Sequence, residues 1–85
     1  VKSECLKGLL EKGYAPDHVI MIGDAPADLE AAEAAGVLFY PVIAYQERKS
    51  WRMFPEVVER FTAGTYAGEY QDALITEFKK NLGID

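Results

Sequence analysis

Short apolar runs alternate with amphipathic segments along this chain, and the alternation predicts strands between helices. Residues 19–22 are Val-Ile-Met-Ile, and residues 37–40 are Val-Leu-Phe-Tyr. Runs this short and this rich in β-branched and aromatic residues are typical of strands buried on both faces, as in parallel sheets. Gly23 follows the first run, and Pro41, which has no N–H to donate to a ladder, ends the second.

An Ala-rich helix is predicted between these two strands. Pro26 suits a first helical turn, where its missing N–H would have no partner. Gly36 suits the left-handed conformation that ends a helix. A strand, a helix and a strand over this distance predict two parallel strands joined by a right-handed crossover.

Three further segments have helical periodicity. The first begins with Ser3 as the predicted N-cap and ends at Gly13. After a loop over residues 43–49, Ser50 is expected to cap a short turn over residues 51–54, and a helix restarts at Pro55. The last helix is predicted from about residue 69 to residue 82, before Gly83. These elements together predict an α/β chain.

The balance of helices and strands is uneven, because four helical segments have only two strands to cover. A two-stranded parallel pair is not a stable sheet by itself. We therefore expect either that the chain forms a homo-oligomer or that it pairs with strands of a segment outside these residues.

Composition narrows the class of protein. The 85 residues make one small domain with a net charge of −5, which argues against nucleic acid and anionic membranes as partners. Cys5 is the single cysteine and has no internal disulfide partner. No apolar run is long enough to span a membrane, and no signal-peptide pattern opens the chain. We expect a cytoplasmic location.

Two carboxylates follow the first predicted strand. Asp24 and Asp28 lie four positions apart across the strand-to-helix turn, at the strand end where open α/β sheets bind ligands. Such a pair suits Mg²⁺, which takes one or two protein carboxylates and leaves other positions to water and phosphate. The simpler interpretation is that Asp24 caps the helix and Asp28 lies in its first turn to complement the helix dipole.

The stretch MIGDAPADLEAAEAAGV resembles motif IV of the haloacid dehalogenase-like (HAD) hydrolases, in which a strand, GDxxxD and an Ala-rich helix follow one another. Lys2, before a helix that leads to the same strand, resembles the motif III lysine. The resemblance covers Lys2 to Pro41 and implies a partial Rossmann-like core: a βαβ unit with parallel strands, followed by C-terminal helices.

The resemblance implies a Mg²⁺-dependent phosphatase that acts through an aspartyl-phosphate on a small phosphorylated metabolite. Asp24 would bind the metal, Asp28 would bind it or lie just outside its ligand set, and Lys2 would stabilise negative charge during phosphoryl transfer. The nucleophile motif DxDxT, the Ser or Thr motif and a cap domain do not occur in residues 1–85. The chain therefore resembles the C-terminal part of a HAD core domain, inactive alone and paired with an N-terminal part.

Two other functions fit the same pattern. One is a non-catalytic α/β interaction module whose open sheet edge recruits a partner strand. The other is a receiver-type phospho-acceptor domain, which also holds Mg²⁺ with carboxylates at strand ends. The receiver interpretation fits less well because no adjacent acidic pair follows an earlier strand. Lys2 also has a simple alternative, a solvated lysine ahead of a helix.

Overall fold

The computed structural model describes residues 2–43 and 45–83, with the side chains described from residue 7 onward. Its elements are α1 (Lys2–Glu11), β1 (Ile20–Gly23), α2 (Pro26–Ala35), β2 (Leu38–Pro41), α3 (Glu47–Ala63) and α4 (Glu69–Leu82), with a 3-10 turn over Pro16–His18. The mixture of helix and strand confirms the predicted α/β class. No helix in the described ranges is long and apolar enough to cross a membrane.

β1 and β2 form a parallel pair that α2 connects, as the sequence predicted. Ile20 pairs with Leu38 and Gly23 pairs with Pro41. Both strands lie one residue further along the chain than their apolar runs. Pro41 can end β2 because its position in the ladder points its backbone away from β1, so its missing N–H costs no bond to that strand.

The two edges of this sheet differ. The N–H of Leu38 donates to the carbonyl of Val19 at 3.0 Å, and the N–H of Val42 donates to the carbonyl of Gly23 at 2.8 Å. Since alternate residues of a parallel strand face opposite neighbours, the N–H and C=O groups of Ile20 and Ile22 point away from β2. The outer edge of β1 is therefore open within the part of the chain that the structure describes.

The outer edge of β2 is closed by side chains that precede or belong to α4. The N–H of Phe39 donates to Oε1 of Gln71 at 2.7 Å. The carbonyl of Phe39 accepts a hydrogen bond from the buried hydroxyl of Tyr66 at 2.6 Å. Pro41, next along that edge, has no N–H. These contacts close the outer edge of β2, because its outward backbone groups around Phe39 have partners. The outer edge of β1 has no such contacts among the described residues.

Helices cover both faces of the strand pair. One core cluster joins β1 and β2 to α2, with contributions from α1 and α4; it contains Val19, Leu29, Ala32, Val37, Phe39, Ile43 and Phe78. The opposite cluster joins the strands to α3 and α4 around Tyr40, Val57 and Tyr66. α1 packs mainly on α2, whereas α4 packs on β2. The arrangement places β1 between helical layers, as an interior strand of a larger sheet would lie.

α3 corrects two sequence predictions. The helix runs without interruption from Glu47 to Ala63 with Pro55 inside it, so the predicted break is wrong. Pro55 is exposed, and the carbonyl that loses its i+4 donor belongs to Trp51, whose residue is 52% exposed, so water can replace the lost bond. The predicted loop over residues 43–49 is correspondingly shorter.

Ser50 and Ser3 are not helix caps. Ser50 lies inside α3, where its buried Oγ accepts a hydrogen bond from the N–H of Ile43 at 3.3 Å. The carbonyl of Ser50 accepts a hydrogen bond from the hydroxyl of Tyr40 at 2.5 Å. α1 begins at Lys2, which places Ser3 within the helix. In contrast, the predicted ends of α2 and α4 are confirmed, because Gly36 and Gly83 adopt left-handed cap conformations.

Candidate functional site

The turn between β1 and α2 is built around the carboxylate of Asp28. Its Oδ2 accepts hydrogen bonds from the N–H groups of Asp24 and Ala25, both at 3.1 Å. Ala25 is the N-cap of α2, in an extended conformation, and its own side chain cannot accept a hydrogen bond. Asp28, from inside the helix, therefore supplies the acceptor that an N-cap side chain usually provides. The capping interpretation of Asp24 is wrong.

Gly23 leaves the space that Asp28 occupies. A Cβ at position 23 would lie 2.6 Å from Cβ and from Cγ of Asp28, closer than real side-chain contacts occur. Packing against Asp28 thus explains why a glycine precedes Asp24 at the end of β1, in addition to any chemical role of the pair. The backbone of the strand end and the carboxylate of the helix fit together only because position 23 has no side chain.

The two carboxylates lie in the same place but in different environments. Asp24 is exposed, whereas only 2% of Asp28 is exposed. Both line an open groove of about 350 Å³ at the carboxyl end of β1, together with Ile22, Val42 and Trp51. The groove therefore has one solvent-facing carboxylate and one buried carboxylate that holds the backbone beneath it.

The donor atoms of this groove decide whether it fits Mg²⁺. Asp24 is exposed and lines the groove, and its carboxylate accepts no hydrogen bond from any backbone or side-chain group that the structure describes. One oxygen of Asp28 already accepts two backbone hydrogen bonds. Within the same ranges, no three His, Cys, Asp or Glu residues are close enough together to hold a metal ion. The pair suits Mg²⁺ with one or two protein ligands and several waters.

Lys2 lies at the start of α1, and its side chain falls outside the described residues. The structure thus brings Asp24 and Asp28 together. The role of Lys2 stays a prediction.

Trp51 also lines this groove, although no sequence motif connects it with Asp24. The residue is 52% exposed, and its ring is set edge-on to Phe54 at a centroid distance of 5.6 Å. Val42, which follows β2, lines the same groove. No local pattern links these residues to Asp24, because the link depends on how α3 packs against the strands.

A second polar cluster, of three tyrosines, lies around the closed edge of β2 and belongs to the core. Burial, together with the neighbouring Tyr40 and Tyr70, raises the pKa of Tyr66 far above its ordinary value. Burial and the hydrogen bond to Glu56 raise the pKa of Tyr70 to about 12. The hydroxyl of Tyr70 donates to Oε2 of Glu56 at 2.8 Å, and Arg60 lies 4.1 Å from the centre of its ring. At neutral pH these hydroxyls therefore act as hydrogen-bond donors that hold the fold.

No family model, curated protein or solved structure matches this chain. The resemblance to HAD hydrolases therefore depends on the motif residues themselves.

Proposed function

We propose that this chain is the Mg²⁺-binding part of a HAD-type phosphohydrolase, with Asp24 as the metal ligand. The observation that carries the proposal is the exposed carboxylate of Asp24 at the carboxyl end of a parallel strand, in an open groove of about 350 Å³. A ligand in this position is the usual arrangement of open α/β sheets. The strand pair and its connecting helix would then form part of a Rossmann-like core.

Asp28 has two roles in this proposal. Its Oδ2 holds the N–H groups of Asp24 and Ala25, which orients the backbone that carries the metal ligand. We keep the prediction that the carboxylate of Asp28 also belongs to the metal site, as a ligand or as the immediate neighbour of one. Replacing a carboxylate that orients a metal ligand commonly lowers the metal affinity, much as replacing a weak ligand does.

The remaining parts of the reaction follow from the resemblance. Mg²⁺, when bound, would offset the negative charge of a phosphate ester. Lys2 would stabilise charge on the nucleophile and on the transferring phosphoryl group. The nucleophilic aspartate would come from a DxDxT motif outside residues 1–85, so these residues alone should not turn over a small phosphorylated metabolite. The N-terminal part of such a hydrolase is the proposed partner, in the cytoplasm.

Metal binding by the chain itself tests this proposal. We would titrate the ¹⁵N-labelled protein with MgCl₂ and follow the backbone amides of Gly23, Asp24 and Ala25 by NMR. Binding should shift these signals, and Asp24→Asn should weaken the affinity at least about tenfold. Asp72→Asn is the control, because Asp72 is likewise an exposed aspartate but lies in the first turn of α4 and does not line this groove. Equal affinity in the Asp24 variant and the wild type would refute the site.

The open edge of β1 favours a second candidate function, a non-catalytic module that recruits a strand. The N–H and C=O groups of Ile20 and Ile22 point away from β2 and could pair with an added strand. The two functions are distinguished by the magnesium titration, because a purely structural module needs no metal at Asp24.

A further inference from the structure

The peptide group that joins Gly23 to Asp24 is held at both of its polar ends. Its N–H, which belongs to Asp24, donates to Oδ2 of Asp28 at 3.1 Å. Its carbonyl, which belongs to Gly23, accepts a hydrogen bond from the N–H of Val42 at 2.8 Å. The first contact comes from α2, and the second comes from the residue that follows β2. The backbone that carries the candidate metal ligand is therefore fixed by two different elements, and Asp28 accounts for only one of them.

The segment that contains Val42 is itself anchored to α3 by Ser50. Oγ of Ser50 accepts a hydrogen bond from the N–H of Ile43 at 3.3 Å. The carbonyl of Ser50 accepts a second hydrogen bond, from the hydroxyl of Tyr40 at 2.5 Å. Ser50 therefore contacts the chain on both sides of Val42, at the residue directly after it and at a residue of β2 before it.

Both contacts of Ser50 are buried, and neither belongs to the helix that contains it. Ser50 is 5% exposed and Tyr40 is 1% exposed. A serine inside a helix commonly bonds to a carbonyl of the preceding turn, whereas Ser50 accepts its hydrogen bond from Ile43, outside α3. A buried N–H that loses its acceptor carries a free-energy cost. Removal of the serine hydroxyl should therefore displace the segment after β2, since its N–H must find another partner.

We propose that Ser50 is a positioning residue for the magnesium site, acting on Asp24 through the segment that follows β2. The inference rests on the proposed function of Asp24 as a metal ligand. Ser50 does not line the groove. It fixes the position of Val42, and Val42 fixes the carbonyl of the peptide that precedes Asp24. Groups that orient a metal ligand without binding the metal commonly change the metal affinity.

The same serine couples the groove to α3. Trp51, the next residue of the helix, lines the groove together with Val42 and Asp24. A displacement of this part of α3 relative to β2 would therefore change the wall of the groove and the peptide beneath the metal ligand together. Ser50 is the buried hydrogen-bonded contact that prevents such a displacement.

Tyr66 provides a matched control for a role in stability alone. Its buried hydroxyl, like that of Ser50, bonds to a backbone group at β2, the carbonyl of Phe39, at 2.6 Å. This bond lies on the outer edge of β2, away from β1 and Asp24. Tyr66→Phe should therefore weaken the fold by the loss of one buried hydrogen bond without moving the Gly23–Asp24 peptide.

Two NMR measurements on the ¹⁵N,¹³C-labelled 85-residue chain test the inference. A titration with MgCl₂ gives the affinity. The scalar coupling across the hydrogen bond between the amide nitrogen of Val42 and the carbonyl carbon of Gly23 reports whether that bond lengthens. Ser50→Ala should lower the Mg²⁺ affinity at least about threefold and weaken this coupling. Tyr66→Phe should change neither.

Circular dichroism shows whether Ser50→Ala keeps its helices. If they are lost, Ser50→Cys takes its place, because a thiol nearly keeps the volume of the side chain but is a weak acceptor. An unchanged Mg²⁺ affinity or an unchanged coupling in the Ser50 variant would overturn the positioning role, as would an equal loss of affinity in Tyr66→Phe. Each of these outcomes leaves Asp24 as a ligand. A wild type that does not bind Mg²⁺ would overturn the proposed function and the positioning role together.

Discussion

Oδ2 of Asp28 accepts a hydrogen bond from the backbone N–H of Asp24 at 3.1 Å, so one candidate metal ligand is held in place by the other. The same oxygen also accepts the N–H of Ala25. The two aspartates therefore have different roles: Asp24 faces solvent, and Asp28 fixes the backbone of the turn. Substitutions at the two positions should separate the stability of the turn from the chemistry of the groove.

Asp28→Ala should destabilise the protein by about 1–3 kcal/mol, because two N–H groups at a helix start lose a charged acceptor. Asp24→Asn should change the free energy of unfolding by no more than about 0.5 kcal/mol, as expected for an exposed side chain. Urea denaturation followed by circular dichroism measures both. Equal losses in the two variants would contradict the division of roles.

Gly23→Ala should destabilise the protein by about 1–3 kcal/mol, since the new methyl group overlaps the Asp28 side chain. Gly8→Ala is the matched control. Nothing lies within 4 Å of a Cβ at Gly8, which is inside α1, and alanine favours helix over glycine. The control should be as stable as the wild type or more so. A neutral Gly23→Ala would contradict the close packing of Asp28 against Gly23.

Tyr66→Phe should cost about 1–3 kcal/mol of stability, because the carbonyl of Phe39 loses its donor while staying buried. Tyr14→Phe, at a residue that is 55% exposed, should have little effect. Hydrogen exchange at Phe39 gives a local readout, because the loss should loosen the closed edge of β2. Unchanged exchange there would exclude the hydroxyl as a stabilising contact.

Alkaline pH should destabilise the fold through the tyrosines whose pKa is raised. The pKa of Tyr70 is raised from 10.0 to about 12, so the unfolded state loses this proton at lower pH than the folded state. The contribution is therefore fully present below pH 10 and is lost as the pH rises towards 12. Urea midpoints across this range should fall less steeply for Tyr70→Phe. Parallel slopes for the variant and the wild type would assign the effect to other groups.

Local sequence patterns were sufficient to predict the helix ends at which a proline or a glycine stands. Pro26 and Gly36 bound α2, and Gly83 ends α4, because proline and glycine act on the backbone where they stand. The apolar runs were likewise sufficient for the parallel pair. The sequence prediction at Pro55 was wrong because a proline inside a helix is tolerated where water can bond the carbonyl that it frees. Whether water can reach that carbonyl depends on which side of α3 faces solvent.

The sequence by itself determined a βαβ unit and brought Asp24 and Asp28 to the end of its first strand, since short-range periodicity and turn residues act over a few positions. Only the tertiary structure decided that Asp28 is buried under the turn while Asp24 faces the groove, and that Trp51 lies beside them. It also decided which edge stays open, because Gln71 and Tyr66 reach β2 from far along the chain. Burial and edge pairing arise from packing between distant segments, which no local pattern encodes.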